Sequence, residues 1–176
     1  MIDFFVEESA YCRGVVPNIS RLAEAVRRAG GTVAWVRPAE HHRHPALMTE
    51  LFGEEIASLY RTSNGKRDIW KDFQIDAADL SIEKSLFSAF FPGSSALPSL
   101  LEDRGIDTVL ISGTVTNICC ESSARDAAAL GFRVIMVADA NAARRDADHN
   151  AALHNIYRSF GDVRPTAEVI DLLRGL

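Results

Sequence analysis

The sequence predicts an α/β protein whose parallel β-sheet is covered by helices on both faces. Three observations carry this. The runs "IDTVLISG" (106–113) and "FRVIMVADA" (132–140) are almost continuously apolar, as strands buried on both faces must be. Segments with helical periodicity alternate with strand-like runs down to the C-terminus. The chain has 176 residues, 47% hydrophobic and 24% charged, enough for a core without disulfides or structural metal. It is therefore read as a single domain spanning 1–176.

The N-terminal "MIDFFVEES" has neither the basic start nor the long apolar run of a signal peptide. Next, "PNISRLAEAVRRAGG" (17–31) places Leu22, Ala25 and Val26 on one helical face and ends in two glycines, which predicts a helix. "TVAWVRP" (32–38) is a β-branched and aromatic run stopped by Pro38, a strand leading into the loop "AEHHRHP". "ALMTELFGEEIASLYRTS" (46–63) is predicted helical despite Gly53, and "NGKRDIWKDFQIDAAD" (64–79) a loop with turn chemistry at Asn64-Gly65. "LSIEK" (80–84) is a short strand and "SALPSLLEDRG" (95–105) a helix. After the first apolar strand, "NICCESSARDAAALG" (117–131) is predicted as one helix capped by Asn117. Beyond the second strand come a helix in "DHNAALHNIYRSFG" (148–161), a brief strand in "DVRP" and a closing helix in "TAEVIDLLRGL".

Charge and motif content exclude several functions. The formal net charge is −5 with acids and bases interspersed, so no basic stripe marks a nucleic-acid or anionic membrane partner. No apolar run approaches the roughly 20 residues a bilayer requires. Three cysteines, two of them adjacent, do not make a disulfide framework, and a reducing cytoplasm is the simplest setting. Neither GxGxxG nor GxxxxGK[ST] occurs, so dinucleotide and ATP binding lose their best support.

In open parallel sheets ligands bind beyond the carboxyl ends of the strands, which directs attention to the loops after them. Cys119 and Cys120 stand where an apolar strand hands over to a helix. Successive helical side chains are turned by about 100 degrees, so the two thiols face differently. Cys120 shares a face with Ala124, Ala127 and Ala128 and is read as structural. Cys119 aligns with Ser123 and Asp126 and is read as facing the crevice, with first-turn amides and the helix dipole lowering its thiol pKa. That makes Cys119 the candidate nucleophile, against the alternatives of a small core residue or a redox pair with its neighbour. Backbone N–H groups in "GTVTNIC" can cradle an oxyanion. Lys84, directly after the strand "LSIE", can reach the thiolate; the competing reading is a solvated lysine paired with Glu83.

The combination of "IEKSLFSAF", "LISGTVTNICCESSARDA", "VIMVADANAA" and "FGDV" resembles the isochorismatase-like cysteine hydrolase superfamily over nearly the whole chain. That superfamily includes nicotinamidases, N-carbamoylsarcosine amidases, ureidoacrylate amidohydrolases and isochorismatases. The resemblance implies a three-layer α/β/α Rossmann-like fold with a mostly parallel sheet and a Cys-Lys-Asp triad, in which Cys119 matches the nucleophile and Lys84 the lysine. It also implies a cis peptide between Thr114 and Val115, with the amides of Val115 and Cys119 directed at the substrate oxyanion.

One departure concerns the N-terminus. Relatives start with an apolar strand ending in the Asp that acts as base, and aligning "MIDFFVEES" with that pattern puts Met1 just after the base position. On this alignment the family's first strand is expected to be missing from this chain, its place lying between "TVAWV" and "TVLISG". Each buried backbone group left unpaired there costs about 1 to 3 kcal/mol. The expectation is a natural start upstream, with Met1 internal; the competing one is a truncated, non-catalytic protein. Asp3 falls on a different position of the pattern and is the substitute candidate for the base.

Glu40, His41, His42 and His44 lie at the end of a strand, and nicotinamidases of the family this chain resembles bind a divalent metal with an Asp-x-His motif and further histidines. Glu40 and His42 have that spacing, but no histidine lies between His44 and His149 to complete the set, and no metal is expected. His149 and His154 are five apart and share no helical face. Arg125 and Asp126 are expected to brace their helix, and Phe87, Phe90, Phe91 and Trp70 to line a pocket or fill the core. The reading is a hydrolase that cleaves a C–N bond in a small amide or carbamoyl substrate through a thioester, needs no cofactor, and assembles as a dimer or tetramer. The alternatives are a vinyl-ether hydrolase of the isochorismatase type and a non-catalytic binding protein.

Overall fold

A computed structural model describes residues 1–40, 45–58 and 65–175. Helices α1 (Asp3–Glu8), α2 (Ala10–Gly14) and α3 (Val16–Arg28) precede strand β1 (Ala34–Pro38). Helix α4 (Pro45–Ser58) and strand β2 (Leu80–Lys84) follow, then α5 (Leu97–Glu102) and β3 (Thr108–Thr114). A π-helical turn, Thr116–Cys120, leads into α6 (Glu121–Ala129); β4 (Arg133–Ala142), α7 (Asp146–Ser159), β5 (Asp162–Arg164) and α8 (Thr166–Leu173) complete the chain.

All named strand pairs are parallel. Among the described residues they form two ladders, β1–β2 and β3–β4–β5. Strand periodicity explains the three layers. Along β3 and β4, Val109, Ile111, Val134 and Met136 point into one apolar cluster with Leu101 of α5, Ala124 and Ala127 of α6 and Ile156 of α7. Their neighbours Leu110, Ile135 and Val137 point the other way, against Ile19 and Leu22 of α3 and Val169 of α8. Met136 and Ile156 are fully buried, and each such side chain contributes about 1.5 to 3 kcal/mol. β1 and β2 join the first cluster through Val36 and Ile82, so the two ladders share one core.

Several elements depart from the sequence reading. Helix α4 is broken at Gly53, where φ is 80° and ψ 172°, a left-handed backbone that glycine adopts without a Cβ penalty. The helix predicted over 95–105 is confined to Leu97–Glu102, because the backbone closes through Ile106 N–H donating to Leu101 O and Gly105 at φ 66°. Asn117 is not a helix cap. The chain is extended at Val115, Cys120 N–H bonds to Val115 O five residues back, and α6 begins only at Glu121.

The start of β2 is tied to α3 by a buried carboxylate. Asp79 accepts from Arg27 Nε at 3.0 Å, from Trp35 Nε1 at 2.7 Å and from the Asp76 amide at 3.0 Å. Arg27 and these further donors hold its carboxyl down at about 2, against 3.8 in a free chain. Leu80 N–H donates to Val33 O at 2.8 Å, which sets the strand that ends at Lys84 in its register.

Candidate active site

β3 and β4 deliver the site. Their pairing runs evenly to Ile111↔Met136 and resumes at Gly113↔Asn141 and Thr114↔Ala142, so β4 bulges while β3 continues, and the register shifts there. Asn141, 1% exposed, holds the shifted backbone with its side-chain amide, which donates to Ile111 O at 2.9 Å and to Val137 O at 2.7 Å. Gly113 takes φ 128°, and a Cβ there would stand 4.0 Å from the backbone nitrogen of Met1. The next peptide, Thr114–Val115, is cis.

The π turn separates the two thiols. Cys120 is 5% exposed and packs with Ala124 and Ala127 in the core; burial, with Cys119 adding to it, pushes its thiol up to about 12. Cys119 is half-buried and lines two cavities. Ser123, which the sequence aligns with Cys119 on a crevice face, is instead buried, and its hydroxyl accepts from the Ala89 amide at 3.1 Å. An α-helical projection fails here because Cys119 precedes α6 and lies in the wider π turn.

The smaller cavity, about 100 Å³, lies between the two ladders. Val36 and Pro38 of β1, Lys84 of β2 and Gly113 and Thr114 of β3 line it together with Met1, Cys119 and Cys120. Lys84 is 6% exposed and donates from Nζ to the Phe87 carbonyl. It is not a solvated partner of Glu83, which pairs with Arg37 at 2.8 Å. Cys119 and Lys84 therefore line one cavity, although they lie 35 positions apart in the sequence.

The larger cavity, about 200 Å³, is walled by Phe5, Phe52, Ile56, Phe87 and Ile118, with Val115 and Cys119 also in its lining. Arg144 completes the wall with a guanidinium that has neither ion pair nor hydrogen bond among the described residues. The sequence reading passed over Arg144. The available signal is an Arg-Arg pair just after the carboxyl end of β4, of which Arg145 alone pairs with an acid among the described residues, Asp148 at 2.8 Å. Neither Asn141 nor His149 is marked by spacing as a site residue; His149 Nδ1 and Thr116 Oγ1 are hydrogen-bonded at 2.9 Å.

Other candidates lie elsewhere. Asp3 starts α1, where its amide donates to Asp68 O at 3.0 Å, and it lines neither cavity; burial, then Glu7 and Asp68, raise its carboxyl pKa. Phe90 is buried against Phe132, Phe91 is exposed, and Trp70 packs beside α3, so of the four aromatics only Phe87 joins a cavity wall. Arg125 pairs with Glu121 at 2.6 Å and stacks over Phe160, bracing α6. His41, His42 and His44 fall outside the described residues. Among the described residues no group of three or more His, Cys, Asp or Glu is arranged to hold a metal, and no helix is long and apolar enough to cross a membrane.

A family model described as the isochorismatase domain matches residues 1–168. An isochorismatase family protein of Bacillus subtilis, YwoC, is 32% identical over 160 residues, covering 91% of this chain and 84% of that protein. Nicotinamidase 3 of Arabidopsis thaliana is 29% identical, covering 91% and 80%. The ureidoacrylate amidohydrolase RutB of Variovorax paradoxus is 28% identical, covering 85% and 65%. Among solved structures, a cysteine hydrolase from Pseudomonas syringae pv. phaseolicola superposes with a TM-score of 0.87 at 26% identity, covering 99% of this chain and 89% of that one.

Proposed function

The chain belongs to the isochorismatase family, and from that premise we propose that it is a cysteine hydrolase of small amides that carry a carboxylate. The observation that carries this reading is the position of Cys119, in the wall shared by a cavity lined by Lys84 and a cavity lined by Arg144. Relatives that cover most of the chain bear the names of amidohydrolases, which supports hydrolysis of a C–N bond.

In this scheme the substrate body lies against Phe52, Ile56 and Phe87, and its carboxylate pairs with Arg144. A nicotinamidase and a ureidoacrylate amidohydrolase differ in whether the substrate bears a carboxylate, and a guanidinium without an ion pair among the described residues favours the second kind. The thiolate of Cys119 attacks the amide carbonyl carbon while Lys84 stabilises negative charge from the adjoining cavity. The backbone amides of Val115 and Cys119 hold the oxyanion. The C–N bond breaks as the leaving nitrogen takes a proton from the Lys84 ammonium and departs as ammonia; water, giving a proton to the Lys84 amine, then cleaves the thioester to the carboxylic acid and returns Cys119 as thiolate and Lys84 as ammonium.

Ammonia release from succinamate and from butyramide tests this, since the two amides share a chain length and differ in the carboxylate. Succinamate is cleaved faster by at least tenfold, and Cys119→Ala abolishes the reaction. Equal rates count against the role of Arg144; activity that survives in Cys119→Ala removes the nucleophile.

A further inference from the structure

We propose that His149 is a positioning residue that acts through Thr116 to hold the π turn in the shape its backbone donors need. The inference rests on the hydrolase reading of Cys119 and adds to it a residue from a different helix. Thr116 is fully buried and sits between the two backbone amides assigned to the oxyanion, those of Val115 and Cys119. No side chain caps the turn. Within it, the Ile118 and Cys120 amides both bond to Val115 O, at 3.1 and 3.3 Å, which leaves the turn to be tied to the rest of the protein by other groups. Thr116 Oγ1 makes that tie, at 2.9 Å to Nδ1 of His149 in the first turn of α7.

His149 is itself well placed to be a fixed partner. Its ring lies edge-on to Tyr11, with centroids 6.0 Å apart, and burial keeps its pKa below the ordinary histidine value despite Asp146. The same helix makes a second contact further along, where the Asn155 side-chain amide donates to Glu121 Oε1 at 3.4 Å, so α7 grips the segment on both sides of Cys119. A donor aimed at an oxyanion stabilises only the charge that develops during reaction, so a small displacement of the turn lowers the rate of attack on a carbonyl without changing the nucleophile.

Two reagents that consume the same thiol separate these effects. Iodoacetamide alkylates the thiolate by displacement of iodide, with no tetrahedral oxyanion. With 4-nitrophenyl acetate the sulfur attacks the carbonyl, the ester C–O bond breaks, and 4-nitrophenolate leaves an acetyl thioester on Cys119. In Thr116→Val and His149→Leu the acetylation rate falls about tenfold or more, whereas alkylation of Cys119 stays within twofold of wild type. The double variant is no slower than either single one. Thr116→Ser and His149→Asn, which keep a polar atom near the lost position, restore acetylation.

Wild-type acetylation rates in Thr116→Val and His149→Leu overturn the proposal, as does a parallel loss of acetylation and alkylation, which reports general damage to the turn. Absence of acetyl transfer to Cys119 in the wild-type chain overturns the hydrolase reading itself, a result distinct from either.

Discussion

Replacing Asp79 by Asn probes the clasp that sets the register of β2, the strand that carries Lys84. The carboxylate is 3% exposed and takes hydrogen bonds from Arg27, Trp35 and the Asp76 amide, whereas Arg27 is 25% exposed, so water screens part of the pair. A carboxyl held at about 2 in place of 3.8 contributes about 2 kcal/mol at neutral pH, because a tenfold change in proton affinity corresponds to about 1.4 kcal/mol. The folded-state value is depressed, so this stability is present above the unfolded value and disappears as pH falls through the folded one. About half of it remains at pH 3 and little at pH 2.

Urea unfolding of wild type and Asp79→Asn therefore shows a gap of about 2 kcal/mol at pH 7, equivalent to roughly 4 to 8 °C in Tm for a chain of this size. At pH 3 the gap narrows to about half. A gap that is the same at both pH values, or absent at pH 7, refutes the account of Asp79 as an ionised clasp.

Further outcomes follow from the site. With its thiol pushed up to about 12, Cys120 is thiolate in only about one molecule in ten thousand at pH 8, so peptide mapping after iodoacetamide finds label at Cys119 and none at Cys120 in the native protein. Comparable labelling of both would mean that the turn places them differently. Arg144→Gln raises KM for succinamate at least tenfold and leaves butyramide cleavage within twofold; equal effects on both amides argue against a carboxylate contact. Asn141→Leu removes the side-chain donor shared by two buried carbonyls and lowers stability by about 2 to 4 kcal/mol in urea unfolding, and a loss under about 0.5 kcal/mol contradicts its place at the register shift. A Cβ on Gly161 would stand 2.3 Å from the Val134 carbonyl oxygen, so Gly161→Ala forces the connection between α7 and β5 away from β4 and lowers Tm; an unchanged Tm refutes this.

Local chemistry is legible in the sequence wherever it depends on near neighbours. The apolar runs at 106–113 and 132–140 become β3 and β4, "LSIEK" becomes β2, and the repeat of Leu22 and Ala25 becomes the buried face of α3, because a period of two or 3.6 residues already states which side is dry. The small residues Ala124 and Ala127 likewise mark Cys120 as the core thiol. The reading fails at Asn117 and Gly53. In both places a backbone conformation outside the α-helix decides the element, and side-chain periodicity carries no information about it.

What the sequence determined by itself is the kind of fold, the identity of the two thiols as unequal neighbours, and the strand end that carries Lys84. What the tertiary structure alone decided is which distant groups share a space. Lys84 and Cys119 meet across the gap between two ladders, Arg144 arrives from the loop after β4, and His149 reaches Thr116 from α7. Periodicity encodes a residue's own exposure, one element at a time. Meeting across elements depends on strand order, on the shift of register at Ile111 and Gly113, and on the packing of α7 against the turn, all of which are set by the burial of the whole core at once.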